Sequence, residues 1–342
     1  VQKTHNKEEV KTINTSQNKL KDLKTRVITS VFIVIFVCFY IMFSVLSTEA
    51  GKFGWEINPR ITSYMFYGLG VLLIIAIIYE LAKSLGYKKV WMQIPIIIFV
   101  LTLFYFPFFT IINKNIIYDD AKVDEWFGWW FTLAILFAYL FMICIFSLFT
   151  KAKHAKINAL LLFAYSLVII LGFKAFSEIG LTMFDNGAKY GFITLIWIWA
   201  IVIFSDTFAY LGGSKFGKTK LAPSISPKKS LEGALIGTAF GTVTGILIAI
   251  FPFYFAPEFG PFYIDFQSVK NLSMAAGGIL IALFSILISI LGQIGDLMFS
   301  WLKRFVDIKD FSSVIPAHGG ILDRLDSFVF VFFFIFIIIQ II

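Results

Sequence analysis

Runs of about 20 apolar residues, the length of helix needed to cross a hydrocarbon layer of about 30 Å, recur along this chain from its first polar segment to its end. They fall at 27–47, 63–82, 90–112, 128–149, 158–176, 191–211, 233–255, 274–300 and 321–342, with Lys174 marking the end of the fifth. Nine such runs leave little chain for anything else, so the expected fold is all-α, a polytopic integral membrane protein with about nine transmembrane helices. Composition agrees: 59% of the 342 residues are hydrophobic and 15% charged, against about 25% charged in a soluble domain. The organisation reads as a basic segment at 1–26, N-terminal membrane helices over 27–176 and a C-terminal region, 191–342, where the polar motifs collect.

Lys and Arg concentrate in alternate connections. The N-terminal segment, 83–89, 151–156, 215–229 and the set Lys303, Arg304, Lys309 and Arg324 hold 22 of the 29, and the intervening connections hold 7. Because positive residues are retained in the cytoplasm, the N-terminus is expected inside and the C-terminus outside. The acidic run Asp119, Asp120, Asp124 and Glu125 then falls on the outer side, with Trp126, Trp129 and Trp130 as an interfacial belt. The first span has no small-residue cleavage site and reads as a signal anchor. Cys38 and Cys144 lie in apolar runs without metal or disulfide spacing and read as small hydrophobes. The net charge of +8 does not point to nucleic acid, because the basic residues sit between membrane spans rather than on a folded basic surface.

Charge inside a span is costly and tends to be functional, which draws attention to Asp206, Asp296, Asp323 and Asp326. All four fall at the ends expected to face the cytoplasm. Asp206 and Asp296 stand about five residues inside their spans, and Asp323 and Asp326, at i and i+3, share one helix face with Arg324 projecting aside. Carboxylates gathered at low dielectric repel one another unless a cation sits among them. Oxygen ligands without His or Cys clusters favour Mg²⁺, which completes its shell with water and phosphate oxygens; the residues leave open whether a monovalent cation accompanies it. Helix capping or pairing with loop lysines is the plainer alternative for each acid.

The connections around these acids are basic and glycine-rich, which suits polyphosphate. Gly212 to Thr219 even satisfies the expression G-x-x-x-x-G-K-[ST], yet it follows a membrane helix and no βαβ unit exists to hold a P-loop. Glycines that permit close approach and Lys215, Lys218 and Lys220 that attract phosphate are what remains of that pattern. Only four of the basic residues are Arg, and two of them, Arg304 and Arg324, flank the acids; a planar fork suits specific phosphate contacts better than an ammonium does. His318-Gly319-Gly320 precedes the last span, whose free amides and positive dipole end suit a phosphate; His318 can be read as a proton carrier, a hydrogen-bond donor to phosphate or a turn residue.

The stretch from Ser300 to Asp326, SWLKRFVDIKDFSSVIPAHGGILDRLD, resembles the signature of phosphatidate cytidylyltransferases, the CDP-diacylglycerol synthases, with every fixed position filled. Gly295-Asp296-Leu297 resembles the family's G-D-L. Upstream, Asp206 to Tyr210, Phe216-Gly-Lys218 and Leu221 to Gly233 resemble its other cytoplasmic segment, with Ser230 in place of the usual Thr and Leu231 in place of Trp. The likeness covers roughly residues 204–330.

The resemblance implies transfer of CMP from CTP to phosphatidic acid, giving CDP-diacylglycerol and pyrophosphate at the cytoplasmic face of the cell membrane. It further implies Asp296 and Asp323 as principal Mg²⁺ ligands, supported by Asp326 and Asp206. Lys303, Arg304 and Arg324 are then phosphate clamps, with His318 beside them. Ser226, Lys228, Lys229, Lys218 and Lys309 are carried as substrate-binding, and a homodimer is compatible. A CTP-dependent kinase of a lipid alcohol is the nearest rival. A CDP-alcohol phosphatidyltransferase lacks its D-G-x-x-A-R run here, and an ion-coupled transporter expects acids near mid-membrane.

Overall fold

A computed structural model of the chain describes residues 25, 28–50, 54–105, 129–184, 187–188, 190–255, 261, 274–316 and 318–341. The basic segment before residue 25, and with it Arg26, the acidic run Asp119 to Glu125 and Trp126 lie outside the described residues. Among the described residues the elements are α1 (Ile28–Thr48), α2 (Pro59–Ser84), α3 (Val90–Tyr105), α4 (Trp129–Ser147), α5 (Ala155–Leu181), α6 (Phe192–Phe216), α7 (Leu231–Phe255), α8 (Met274–Phe305) and α9 (Leu322–Ile341). Among the described residues seven helices are long and apolar enough to cross a membrane: α1, α2, α5, α6, most of α4, and the apolar parts of α7 and α8. The chain is a multi-pass membrane protein. Val90–Tyr105 is apolar but shorter, and α9 opens with its acids.

Three helices, α5, α6 and α8, run past the expected ends of their spans. Lys174 does not end α5, which continues to Leu181 with Glu178 one turn beyond the lysine on the same face. Asp206 and Asp296 stand ten and nine residues from the ends of α6 and α8, at Phe216 and Phe305, so both acids lie deeper in their helices than about five residues. Two small antiparallel sheets interrupt the all-helical pattern: β1 (Met183–Phe184) pairs with β2 (Gly187–Ala188), and β3 (Lys220–Ala222) pairs with β4 (Ser226–Ser230). The second hairpin occupies the basic 215–229 connection.

α5 forms the middle of the packing: 56% of its most apolar 18-residue stretch is buried, against at most 39% for the other six spans. Tyr40 of α1, Phe66 of α2 and Phe176 of α5 close on one another with ring centroids 4.6–5.2 Å apart, and the Tyr165 hydroxyl donates to the Met298 carbonyl of α8 at 2.8 Å. In lipid such dispersion contacts and interhelical hydrogen bonds hold spans together, since the solvent is as apolar as the side chains.

The tightest seam joins α6 to α7. Gly233, Gly237, Gly241 and Gly245 recur every fourth residue and so form one stripe on α7. A Cβ on Gly233 would lie 2.6 Å from the Ala209 carbonyl oxygen, and one on Gly237 would lie 2.5 Å from that of Ser205. Gly237→Val is therefore expected to push α6 off α7 and destabilise the protein by about 1–3 kcal/mol. The measurement is thermal unfolding in detergent; a melting temperature equal to that of the parent would refute the seam.

Connections carrying the excess of Lys and Arg meet at one end of the helices. There Asn158, at the start of α5, donates to the Leu85 carbonyl after α2, and His154 lies against Phe305 at the end of α8. His318, ahead of α9, meets Thr29 and Ser30 at the start of α1.

Candidate active site

At that same end, four elements bring carboxylates and lysines together. Lys229 of β4 pairs with Asp296 of α8 at 2.6 Å, and Ser300, one turn on, donates to the other oxygen of Asp296 at 3.1 Å. Because side chains alternate along a strand, Lys229 turns inward to the acid while Lys228 is exposed. Lys303 of α8 reaches Asp323 at 2.9 Å and Asp326 at 3.8 Å, as the i, i+3 spacing of those two acids requires. Asp206 of α6 accepts from the Ser327 hydroxyl at 3.4 Å and lies within electrostatic reach of Asp296, as does Asp326. Asp206, Asp296 and Asp326 therefore share one neighbourhood, with Lys229 and Lys303 supplying countercharge.

Beneath the carboxylates a polar seam locks the three helices. The Gln293 amide donates to Ser205, Thr238 and the Ala234 carbonyl, each at 3.1 Å, and Ser289 donates to Ser205 at 2.7 Å. This fixes α6, α7 and α8 one turn below Asp296.

Asp323 has a different set of partners. Its Oδ2 accepts from the backbone amides of Phe311 and Gly320 at 2.8 and 2.9 Å, and Lys303 binds Oδ1. Oδ2 thus holds both ends of the loop 311–320, Phe311 and Gly320, against the start of α9, while Oδ1 ties α9 to Lys303 of α8. A second carboxylate holds the same loop from the far side: Glu80, on α2 and 3% exposed, accepts from the Ser312 hydroxyl at 2.6 Å and from the Ile321 and Leu322 amides at 3.0 and 2.9 Å. Those two amides are among the unpaired donors of the α9 N-terminus, where the helix dipole favours a negative charge.

The two glycines of His318-Gly-Gly follow from this clamp. Gly319 has φ of +86°, in the left-handed region that costs other residues, and a Cβ on Gly320 would stand 2.6 Å from Glu80. Glu80 was missed in the sequence reading, although the rule that found Asp206, an acid inside an apolar run, applies to it equally.

The remaining candidates are placed as follows. Arg304 donates from Nε to the Ile225 carbonyl at 3.2 Å and from Nη1 to the Ile308 carbonyl at 3.2 Å, tying the hairpin to the end of α8. His318 sits between Thr29 (Nδ1, 2.6 Å) and Ser30 (Nε2, 3.3 Å), bridging its loop to α1. Ser226 begins β4 next to Ile225, and Lys218 and Lys309 are exposed. Arg324, exposed, projects away from the acids, and its side chain makes no hydrogen bond or ion pair among the described residues.

Residues Gly212 to Phe216 of the phosphate-loop expression are the last turns of α6, so its glycines approach α7 rather than a ligand: a Cβ on Gly212 would meet Ile236 at 2.8 Å. The amides of Lys218 and Thr219 both donate to Glu232, at 3.0 Å. The expression is a coincidence of helix end and hairpin.

Among the described residues no group of three or more His, Cys, Asp or Glu side chains closes to metal-ligand spacing. The donor set of Asp206, Asp296 and Asp326 nevertheless suits a hard divalent cation, being all oxygen, with Lys229 and Lys303 supplying countercharge beside it.

The sequence profile of the cytidylyltransferase family matches residues 20–342. This chain belongs to that family. It is 37% identical over 183 residues to a phosphatidate cytidylyltransferase of Helicobacter pylori (strain ATCC 700392 / 26695), the match covering 53% of this chain and 56% of that protein. It is 32% identical over 199 residues to phosphatidate cytidylyltransferases of Staphylococcus aureus (strain COL) and Staphylococcus haemolyticus (strain JCSC1435), covering 58% of this chain and 66% of each relative. The chain thus spans between about half and two thirds of the length of these curated relatives.

Proposed function

We propose that this chain is a phosphatidate cytidylyltransferase, transferring CMP from CTP to phosphatidic acid to give CDP-diacylglycerol and pyrophosphate. The observation that carries the reading is the convergence of Asp206, Asp296, Asp326, Lys229 and Lys303 from α6, β4, α8 and α9 at one end of the helices, in a member of the cytidylyltransferase family. We further propose nine spans, with α3 and α9 completing the seven. The N-terminus and the site then face the cytoplasm of the cell membrane, as the meeting of the basic connections at the site's end supports.

The chemistry asks little of a base. A phosphatidate oxygen, already anionic, forms a bond to the α-phosphorus of CTP as the bond to the bridging oxygen breaks, and the electron pair leaves with pyrophosphate. Gathering those anions is the main obstacle, and positively charged groups held in place by packed helices lower it. Lys229 and Lys303 are held at the carboxylates by short ion pairs, and each can turn to a phosphate oxygen without leaving its place. Lys228, Ser226, Lys218 and Lys309, on or near the exposed hairpin and loop, would meet the triphosphate. Arg304 holds the hairpin over α8. Asp296, Asp326 and Asp206 would hold Mg²⁺, which when bound supplies charge neutralisation at the phosphates; a monovalent cation beside it would find the same oxygens. Asp323, first assigned as a principal ligand, fits better as the residue that fixes the loop, given its two backbone amides. A homodimer is compatible with the family likeness.

Purified protein in detergent, given labelled CTP, should label phosphatidate as CDP-diacylglycerol, leave a polyprenol or phytol unlabelled, and lose turnover in EDTA with recovery on added Mg²⁺. Label passing only to the neutral alcohol, with CDP released, would overturn the acceptor, and turnover that survives full chelation would overturn the cation.

A further inference from the structure

The sequence leaves three readings of His318 open, and the structure engages both of its ring nitrogens with α1. Thr29 Oγ1 stands 2.6 Å from Nδ1, and Ser30 Oγ stands 3.3 Å from Nε2. The surrounding network assigns the proton. The Thr29 hydroxyl already donates to the Thr25 carbonyl at 2.9 Å, so towards the ring it can only accept. The other group near Nδ1, the Pro316 carbonyl at 3.4 Å, is an acceptor as well. Nδ1 therefore carries the N–H, and in the neutral ring Nε2 accepts from the Ser30 hydroxyl. Neither nitrogen is left over for a phosphate.

The loop needs this contact more than its ends do. Asp323 grips it at Phe311 and Gly320, and Glu80 grips it at Ser312 and beyond, at Ile321 and Leu322. Between those grips the chain folds on itself, Ile315 and Gly319 exchanging backbone hydrogen bonds at 2.8 and 3.1 Å. Among the described residues, the hydrogen bonds that tie this tip to the rest of the protein are those of His318 to α1. The inner half of α1 in turn has little else to fix it, since none of residues 28–39 is buried. Its hold begins at Tyr40, about 16 Å further along the helix, which packs on Phe66 and Phe176. One turn on, Ser44 donates to the Gly180 carbonyl at 2.6 Å, and Ser47 donates to Thr62 at 2.9 Å. Anchored at that end, α1 meets the loop at the other through two directional contacts.

We propose that Thr29 and Ser30 are positioning residues for CMP transfer: acting through His318, α1 sets where the tip of the loop 311–320 lies. The loop joins the helix of Asp296 and Lys303 to the helix of Asp326, so its placement governs how those groups face one another. The inference rests on the reaction proposed above. It adds to the parts on which turnover depends a helix that carries none of the clustered acids, and it makes His318 a relay of position.

The test uses the full chain in detergent micelles. Thr29→Val keeps the shape and removes the acceptor; together with Ser30→Ala it should lower kcat about fivefold to twentyfold, as for lost hydrogen bonds that orient a reacting group. The KM for CTP should stay within about twofold of the parent's, since no nucleotide contact is removed. Thr29→Ser, which keeps the hydroxyl, should restore kcat to within about twofold of the parent's. Hydrogen exchange read by mass spectrometry should rise in peptides covering 311–320 of the Val/Ala variant. Added to His318→Ala, the two α1 changes should cost nothing more, because the hydroxyls then have no ring to hold. Losses that multiply in that background would place His318 on the substrate and overturn the proposal. Parental kcat in the Val/Ala variant, an equal loss in Thr29→Ser, or unchanged exchange in the loop overturns it as well. Should the Val/Ala variant fail to fold, Thr29→Val alone decides by the same readings. If the parent forms no phosphatidate-dependent product, the reaction fails, while the exchange measurement still judges the tie between α1 and the loop.

Discussion

Asp296→Asn is expected to lower CMP transfer by at least about a hundredfold, the scale seen when one preorganised electrostatic group is removed from a transfer site. Asp296 is the acid on which the others converge: Lys229 pairs with it from the hairpin, Ser300 donates to it, and Asp206 and Asp326 both feel its charge. An amide of the same shape keeps the packing, because the residue stands partly exposed with 31% of its side chain accessible, yet removes the charge that holds Lys229 and would hold Mg²⁺. The variant should therefore be extracted and purified in the parent's yield, with the same melting temperature and almost no turnover. Near-normal transfer of labelled CMP by Asp296→Asn would remove this residue from the site.

The second large effect is expected at Glu80, which touches no proposed substrate. Glu80→Ala leaves the Ser312 hydroxyl and the Ile321 and Leu322 amides without their acceptor. It should cost about 1–3 kcal/mol for each buried donor left without an acceptor. Glu80→Gln is the more informative change. One oxygen still accepts, but the new NH₂ confronts a backbone N–H, so about 1–3 kcal/mol is expected. Loss of kcat should exceed any change in the KM for CTP, since Glu80 positions the loop rather than the nucleotide.

Asp323→Asn loosens the same loop from its other side. The two changes should be non-additive, with the double variant losing less activity than the product of the single losses. Simple multiplication of the losses, or parental kcat in Glu80→Gln, would reduce Glu80 to an ordinary cap.

Much of this architecture is legible in the amino-acid order. The apolar runs mark where each helix lies, because lipid leaves the backbone few alternatives to a helix. The i, i+3 spacing of Asp323 and Asp326 foretells that both point to one site, and Lys303 lies within reach of each. Helix ends are less legible: α6 and α8 run past the apolar stretch because Lys215, Lys303 and Arg304 prolong a helix beyond the lipid as easily as they end one.

The β3–β4 hairpin gives no alternating pattern, since its strands are short and polar and its register is held by tertiary partners, among them Arg304 at Ile225 and Lys229 at Asp296. Glu80 is visible as an acid inside an apolar run, but its role is not, because its partners are backbone amides more than 230 residues away, which no local spacing encodes. Asp323 looks like its neighbour Asp326 in sequence; only the amides of Phe311 and Gly320 distinguish a loop anchor from a member of the charged cluster.

The glycine stripe of α7 has a consequence for how such a chain tolerates change over generations. Outward-facing Phe, Leu and Ile can drift among themselves, since any oily side chain satisfies the lipid. Gly233 and Gly237 have no such freedom, for even a methyl group there would strike a neighbouring carbonyl. Residues with no side chain and no chemistry thus become some of the hardest to exchange, and they hold the acid of α6 in place from a distance.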